Sequence, residues 1–238
     1  IPLSRQTMSN WILRATENYL APVYEQMHKE LLRREVLHAD ETTLQVLHEP
    51  GKAPQSESYM WLYRTSGDTN KPIVLYEYQP GRGAKHPEAF LKGFKGYLHT
   101  DGYAGYHNLP EEITVVGCWA HARRKFDEAV RSLPKGKAKG SSASQGLTYC
   151  NLLFRMEQEI ADKTAEERYE ERLKQAKPVL DAIFAWANSR TAAPKSALGK
   201  ALNYLKEQWP YLTNYLKDGR LELSNNRAER SIKPFVID

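Results

Sequence analysis

The sequence predicts an α/β fold, a mixed sheet flanked by helices, with an all-helical segment inserted before its last element. Three observations carry this. From Val36 to Tyr78, β-branched and aromatic residues cluster in short runs separated by Gly, Pro, Ser and Asn turns. From Pro87 to Leu133, helical and strand-like stretches alternate. From 146 to 220, apolar residues recur at helical spacing.

Taken in order, residues 3 to 35 read as helical. Ser4 or Thr7 is a candidate cap, and Trp11, Ile12, Tyr19 and Leu20 form one stripe that Pro22 interrupts. Val23, Met27, Leu31 and Leu32 form a second. The opening Leu3–Trp11 fits the recognition helix of a helix-turn-helix. With no partner helix before it, a plain packing helix is the preferred reading. Strands are expected at Val36–Thr42, Thr43–His48, Tyr59–Thr65 and Ile73–Tyr78, with a turn at Thr42–Thr43. Pro87–Phe94 suits a helix with proline in its first turn. Tyr97–Thr100 and Ile113–Cys118 read as strands and Trp119–Leu133 as a helix.

Residues 134–145, rich in Lys, Gly and Ser, read as a polar linker. Beyond it Leu152, Leu153, Met156 and Ile160 make one helical stripe. A second, Tyr169 to Ile183, is expected to kink or split at Pro178, and Leu198 to Leu205 make a third. In Leu223-Ser224-Asn225-Asn226-Arg227-Ala228-Glu229, residues 224 to 226 offer caps for a last helix. The predicted organisation is therefore a helical segment (1–35), a first core part (36–133), a linker and helical insertion (134–220), and a core helix (221–238). Ile1 at the start, and Asp238 inside an apolar-looking run, suggest a piece of a longer protein.

The 238 residues suffice for one large domain, or a core plus a subdomain. No apolar run approaches the length of a membrane span, and no charged-then-apolar leader opens the chain. Cys118 and Cys150 lack any Cys-x-x-Cys partner and read as reduced thiols, implying neither a disulfide framework nor a zinc site. The net charge is +5. Residues 121–140 hold seven Lys/Arg against Asp127 and Glu128, so this one stretch accounts for the whole excess. Either a solvated loop or a phosphate-tracking surface explains it.

Two apolar runs each deliver an aspartate: Leu37-His38-Ala39-Asp40 and Leu98-His99-Thr100-Asp101. Singly, each aspartate is an ordinary strand-end or turn residue, and Glu229 belongs to an ordinary charged helix. His38 and His99 lie two residues before their aspartates, hence on the same strand face. His99 reads as a half-buried strand histidine; His38 stays open between that and a metal ligand or supporting partner. His121 and Lys125 share a helix face. Lys233, four residues after Glu229, fits equally an ion pair with it or a phosphate contact.

The motifs HADET, TDGYAGY, GCWAHARRKF and NNRAER-SIKPF, in this order, resemble the transposase of the insertion-sequence-66 family of bacterial mobile elements. The resemblance covers nearly the whole chain. It implies a ribonuclease-H-like core with an Asp-Asp-Glu triad at Asp40, Asp101 and Glu229, separated by 61 and 128 residues. Three such carboxylates suit two hard cations, Mg²⁺ or Mn²⁺, for phosphodiester chemistry. It further implies DNA as partner, both element ends and target, with contacts at His121, Arg123, Arg124, Lys125 and Lys233. A homo-oligomer without membrane association, in the bacterial cytoplasm and nucleoid-associated, would follow. The rival readings are a hydrolytic nuclease on the same fold and a non-catalytic DNA-binding remnant.

Overall fold

The structure, a computed structural model, describes residues 2–236; the readings at Ile1 and Asp238 fall outside them. A five-stranded mixed sheet organises the first half. Its strands are β1 (Val36–Gln45), β2 (Glu57–Thr65), β3 (Val74–Gln79), β4 (Gly96–His99) and β5 (Ile113–Val116), in the order β3-β2-β1-β4-β5. The first three pair antiparallel, whereas β4 and β5 run parallel to β1.

Two strands expected at Val36–Thr42 and Thr43–His48 are one. Thr42 and Thr43 pair with Met60 and Tyr59, and Asp40 lies opposite Leu62 in mid-strand. A Thr-Thr pair supplies none of the left-handed geometry of a tight turn, and β-branched residues favour the ladder.

Period-two alternation divides β1 between two cores. Leu37 and Ala39 face an apolar cluster with Leu31, Trp61, Tyr63, Phe90 and Leu98. It is covered by α2 (Ala21–Leu32) and α3 (Lys85–Phe90), the latter starting two residues before the predicted span. Val36 faces the other cluster, with Val116, Trp119 and Phe126, completed by residues of the helical segment such as Leu153, Ile183 and Leu205. The elements here are α4 (Trp119–Arg131), α5 (Ser142–Glu159), α6 (Ala165–Glu171), α7 (Lys177–Asn188) and α8 (Ala197–Leu212). The helical segment thus shares its core with the sheet. It also begins earlier than expected: Ser141 caps α5 by accepting from the Ser144 amide at 3.1 Å, so 142–145 are helix and not linker.

Both prolines expected to break helices do so in the same way. Pro22 and Pro178 sit in the first turns of α2 and α7, each preceded by a single π-helical turn, at Thr16–Leu20 and Arg172–Ala176. Proline lacks the amide an α-helix would use, and the wider turn absorbs that loss without ending the helix.

The N-terminal stripe does not pack on this chain. In α1 (Arg5–Ala15) no residue is buried, and Trp11 and Ile12 are 56% and 67% exposed. Its apolar period predicted packing, but the chain first reaches the sheet in α2, where the Tyr24 hydroxyl donates to the Tyr76 carbonyl at 3.1 Å and Leu31 is buried.

The last helix, α9 (Asn226–Ile232), lies across the β1–β2–β3 half of the sheet. Ala228 and Ile232 pack on Leu62, and Arg64 and Tyr76 bond Ser231 at 2.5 and 2.8 Å.

Candidate active site

The register of β1 against β4 sets the site. His38 pairs with His99, so the two Leu-His-x-Asp tetrapeptides run side by side in the same direction. Both histidines are fully buried, their rings stacked 4.3 Å apart, and burial lowers the pKa of each: His38 falls to about 4 and His99 well below its ordinary value. They form a neutral floor. Two residues further along, Asp40 and Asp101 emerge from the same strand face.

Asp101, two residues beyond the end of β4, opens a turn built by its neighbours. Its Oδ1 accepts from the Tyr103 amide at 2.9 Å, and its carbonyl accepts from the Tyr204 hydroxyl of α8 at 3.0 Å. Gly102 has φ +95°, a left-handed backbone that favours glycine, and a Cβ there would also press on the Gln208 amide at 2.9 Å.

Asp40 is buried, and its carboxyl accepts from the Glu41 amide at 3.0 Å. Burial, then the charges of Asp101 and Glu41 and lastly that of Glu229, push its pKa up to about 8. Among the described residues, no Lys or Arg pairs with Asp40 or Asp101. Two carboxyls with no compensating cation are a donor set that fits a hard divalent ion.

Glu41, on the opposite strand face, was not singled out by the sequence. Burial, then Asp101, push it to about 7, although Tyr106 Oη donates to it at 2.7 Å and Arg82 donates from Nε and Nη2 at 2.9 and 2.6 Å. Arg82 in turn stacks on Tyr103, 3.9 Å from the ring centroid. This Glu41–Arg82–Tyr103 chain braces the turn that aims Asp101.

Asn225 brings in the third acid. The expected helix cap does not form: no Asn225 side-chain bond caps α9. The side chain turns inward instead, accepting from His38 Nδ1 at 2.9 Å and donating to the Ala39 carbonyl at 2.8 Å, while its own amide donates to Cys118 Sγ at 3.2 Å. Buried polar groups demand partners, and here that demand staples α9 to β1 and to the start of α4.

Glu229 therefore faces the α4 side of the cleft. Its Oε1 accepts from His121 Nε2 at 2.9 Å and its Oε2 lies 3.6 Å from Arg124, and the His121 bond holds its carboxyl below the usual range. Asp40 thus feels the charges of both Asp101 and Glu229. Among the described residues, the three-ligand cluster with all donor atoms within 4.8 Å is Cys118, His121 and Glu229.

The residues expected to contact DNA fall into two groups. His121 is engaged with Glu229; Arg123 Nε bonds Asn151 at 2.6 Å; Lys125 lies 5.0 Å over the Tyr204 ring. Lys233 forms no ion pair with Glu229, whose partners are His121 and Arg124. It lines an open cleft with Arg123, Arg124, Asp127, Glu229 and Arg230. The cationic rim comes from α4 and the end of α9 together. No helix among the described residues is long and apolar enough to cross a membrane.

Comparison with known proteins gives a consistent picture. The model of the family described as "Transposase IS66 family" matches residues 1–238. The chain is similar to three proteins of Sinorhizobium fredii (strain NBRC 101917 / NGR234). Uncharacterized protein y4qI is 31% identical over 256 residues, covering 100% of this chain and 46% of its own. Uncharacterized protein y4hP is 30% identical with the same coverage, and y4jD is 29% identical over 252 residues, covering 100% and 48%. The chain thus spans about half the length of these relatives. No solved structure matches it.

Proposed function

This chain belongs to the IS66 transposase family, and from that premise we propose that it is the catalytic core of a metal-dependent DDE transposase. The strand order, three antiparallel strands followed by two parallel ones, supports a ribonuclease-H-like assignment. Asp40, Asp101 and Glu229 are the acid triad. The observation that carries the reading is the in-register pair of Leu-His-x-Asp tetrapeptides, with an Asp40 that no Lys or Arg among the described residues pairs with.

Asp40 and Asp101 would hold Mg²⁺ or Mn²⁺, with Glu229 completing the set. A pair of such ions supplies activation of the attacking oxygen and stabilisation of the leaving oxygen in phosphodiester displacement. The chain does the rest. His38 and His99, neutral and stacked, add no charge beneath the carboxylates. Tyr103, Tyr204 and the Glu41–Arg82 pair fix the Asp101 turn. Arg124, Arg230 and Lys233 receive the DNA backbone, positioning it without reading sequence. Water is the nucleophile in the first cut, and the freed 3′-hydroxyl then attacks target DNA. The active assembly is a homo-oligomer.

The test is cleavage and strand joining of labelled element-end DNA with Mg²⁺ or Mn²⁺. Asp40→Asn, Asp101→Asn and Glu229→Gln should each abolish both activities while the far-ultraviolet circular dichroism stays unchanged. Retained cleavage by the Glu229→Gln protein would sink the triad. Cleavage without joining would reassign the chain as a hydrolytic nuclease.

A further inference from the structure

We propose that Cys118, His121 and Glu229 form a second metal site, for zinc or a similar borderline divalent ion, at the junction of α4 and α9. The three donor atoms come from two elements and lie within 4.8 Å of one another. Ligands ~2.0–2.3 Å from a tetrahedral ion sit about 3.4–3.7 Å apart. His121 Nε2 and Glu229 Oε1, now 2.9 Å apart, need only open by a few tenths of an ångström to admit one.

The donor chemistry separates this site from the aspartate pair. A sulfur, an imidazole nitrogen and a carboxylate oxygen suit a borderline ion, whereas Mg²⁺ takes oxygen and keeps its waters. Cys118 immediately precedes α4, and the amides of Asn225, His121 and Ala120 all favour negative charge on its sulfur. Amide-supported thiolate is what a metal-bound cysteine needs. Without an ion the buried thiol keeps its proton, its pKa pushed up to about 11. Metal binding therefore releases the Cys118 proton to solvent, and the His121 proton now shared with Glu229 leaves Nε2, with Nδ1 carrying the ring's N–H.

The frame is already rigid. Trp119, beside Cys118, is tied by its indole to the Leu212 carbonyl at 2.9 Å and by its amide to Leu223 at 3.0 Å. Cys118 is fully buried, but the side chains of His121 and Glu229 are 22% and 31% exposed, so an ion enters from the cleft and leaves its fourth position facing it. Arg124, the arginine paired with Glu229, is 56% exposed and can swing away. The sequence hides this set, because Cys118 and His121 acquire their third ligand 108 residues after His121.

A consequence rests on the function proposed above. An ion here ties Glu229 to α4 and withdraws it from Asp40 and Asp101, so zinc opposes the Mg²⁺-dependent reaction.

Cobalt(II) is the probe, titrated into the 238-residue chain and followed by absorption. The expected result is one ion per chain with a thiolate-to-cobalt charge-transfer band, displaced by zinc. The band should persist in Asp40→Asn, vanish in Cys118→Ser, and need at least ~10-fold more cobalt in Glu229→Gln. No charge-transfer band in the wild-type chain, or one that survives Cys118→Ser, overturns the proposal. In parallel, the ratio of cleavage with and without zinc should fall at least ~10-fold in the wild type and stay near one in Cys118→Ser. Equal zinc inhibition of both overturns the regulatory consequence. The cobalt arm needs no catalysis, so absence of cleavage counts against the transposase reading and leaves the metal site to be judged on its own.

Discussion

Asp40→Asn should stabilise the metal-free protein, and increasingly so as pH rises. Asp40 ionises near pH 8 in the fold, against an ordinary aspartate value of about 4 in the unfolded chain. Between these values the folded state binds the extra proton, so wild-type stability falls as pH climbs through this window. At ~1.4 kcal/mol per tenfold change in proton affinity the upper bound is on the order of 5 kcal/mol, and relaxation of water and side chains brings the expectation to about 2–3 kcal/mol. Glu41, raised to about 7, contributes in the same direction but remains in both proteins. For a chain of this length the difference corresponds to about 5–10 °C in Tm at pH 9, shrinking towards zero at pH 4–5. The assay is thermal or urea unfolding of both proteins in chelator from pH 5 to pH 9. Adding Mg²⁺ at pH 8 should then recover most of the difference in the wild type and leave Asp40→Asn unmoved. A stability gap independent of pH, or a wild type that gains stability towards pH 9, would refute the claim that Asp40 carries uncompensated charge.

Three further outcomes are expected. Asn225→Ala should cost about 2–4 kcal/mol by leaving the Ala39 carbonyl and His38 unpaired, and amide exchange in 226–232 should accelerate before that of β1 and β2; unchanged exchange there would mean Asn225 is not the anchor. Arg82→Ala should lower the urea midpoint by the equivalent of about 1–3 kcal/mol by stripping the buried Glu41 of its cation, and Arg82→Lys should recover only part, since lysine lacks the guanidinium fork. Full recovery by lysine would show that charge alone suffices. Replacing Arg124, Arg230 and Lys233 by Gln together should reduce the salt slope of DNA binding by about 2–3 and weaken element-end and scrambled DNA alike, which a fluorescence titration at several salt concentrations would measure; loss confined to element ends would assign these residues to base contacts.

The sheet was legible because its signals are local. Strand periods located β2 to β5 closely, and Pro22 and Pro178 announced the two helix interruptions. Thr42–Thr43 misled because a polar pair in mid-strand resembles a turn until its partners Met60 and Tyr59 are known. Asn225 misled for the opposite reason: beside Ser224 and Asn226 it has the composition of a cap, but its side chain is claimed by a histidine 187 residues away. Glu41 carried no signal, since its importance arises from Arg82 and Tyr106, which neither spacing nor type connects to it. His121 was assigned to DNA on the family motif, and its bond to Glu229, 108 residues away, had no signal in the spacing. The stripe of α1 followed a packing period, yet none of its residues is buried against the described residues.

The same long reach of Asn225 sets a clock. Joining it to His38 closes a loop of 187 residues, at a cost of about 4–5 kcal/mol in chain entropy, and that cost can be met only after the intervening helices have folded against the sheet. At ~5–20 residues per second of synthesis, α9 leaves the ribosome about 10–40 s after β1. Throughout that interval a nascent chain has Asp40 and gains Asp101, but has no α9 to dock beside them. On the proposed function, the order of translation would leave the acid set divided until α9 is made.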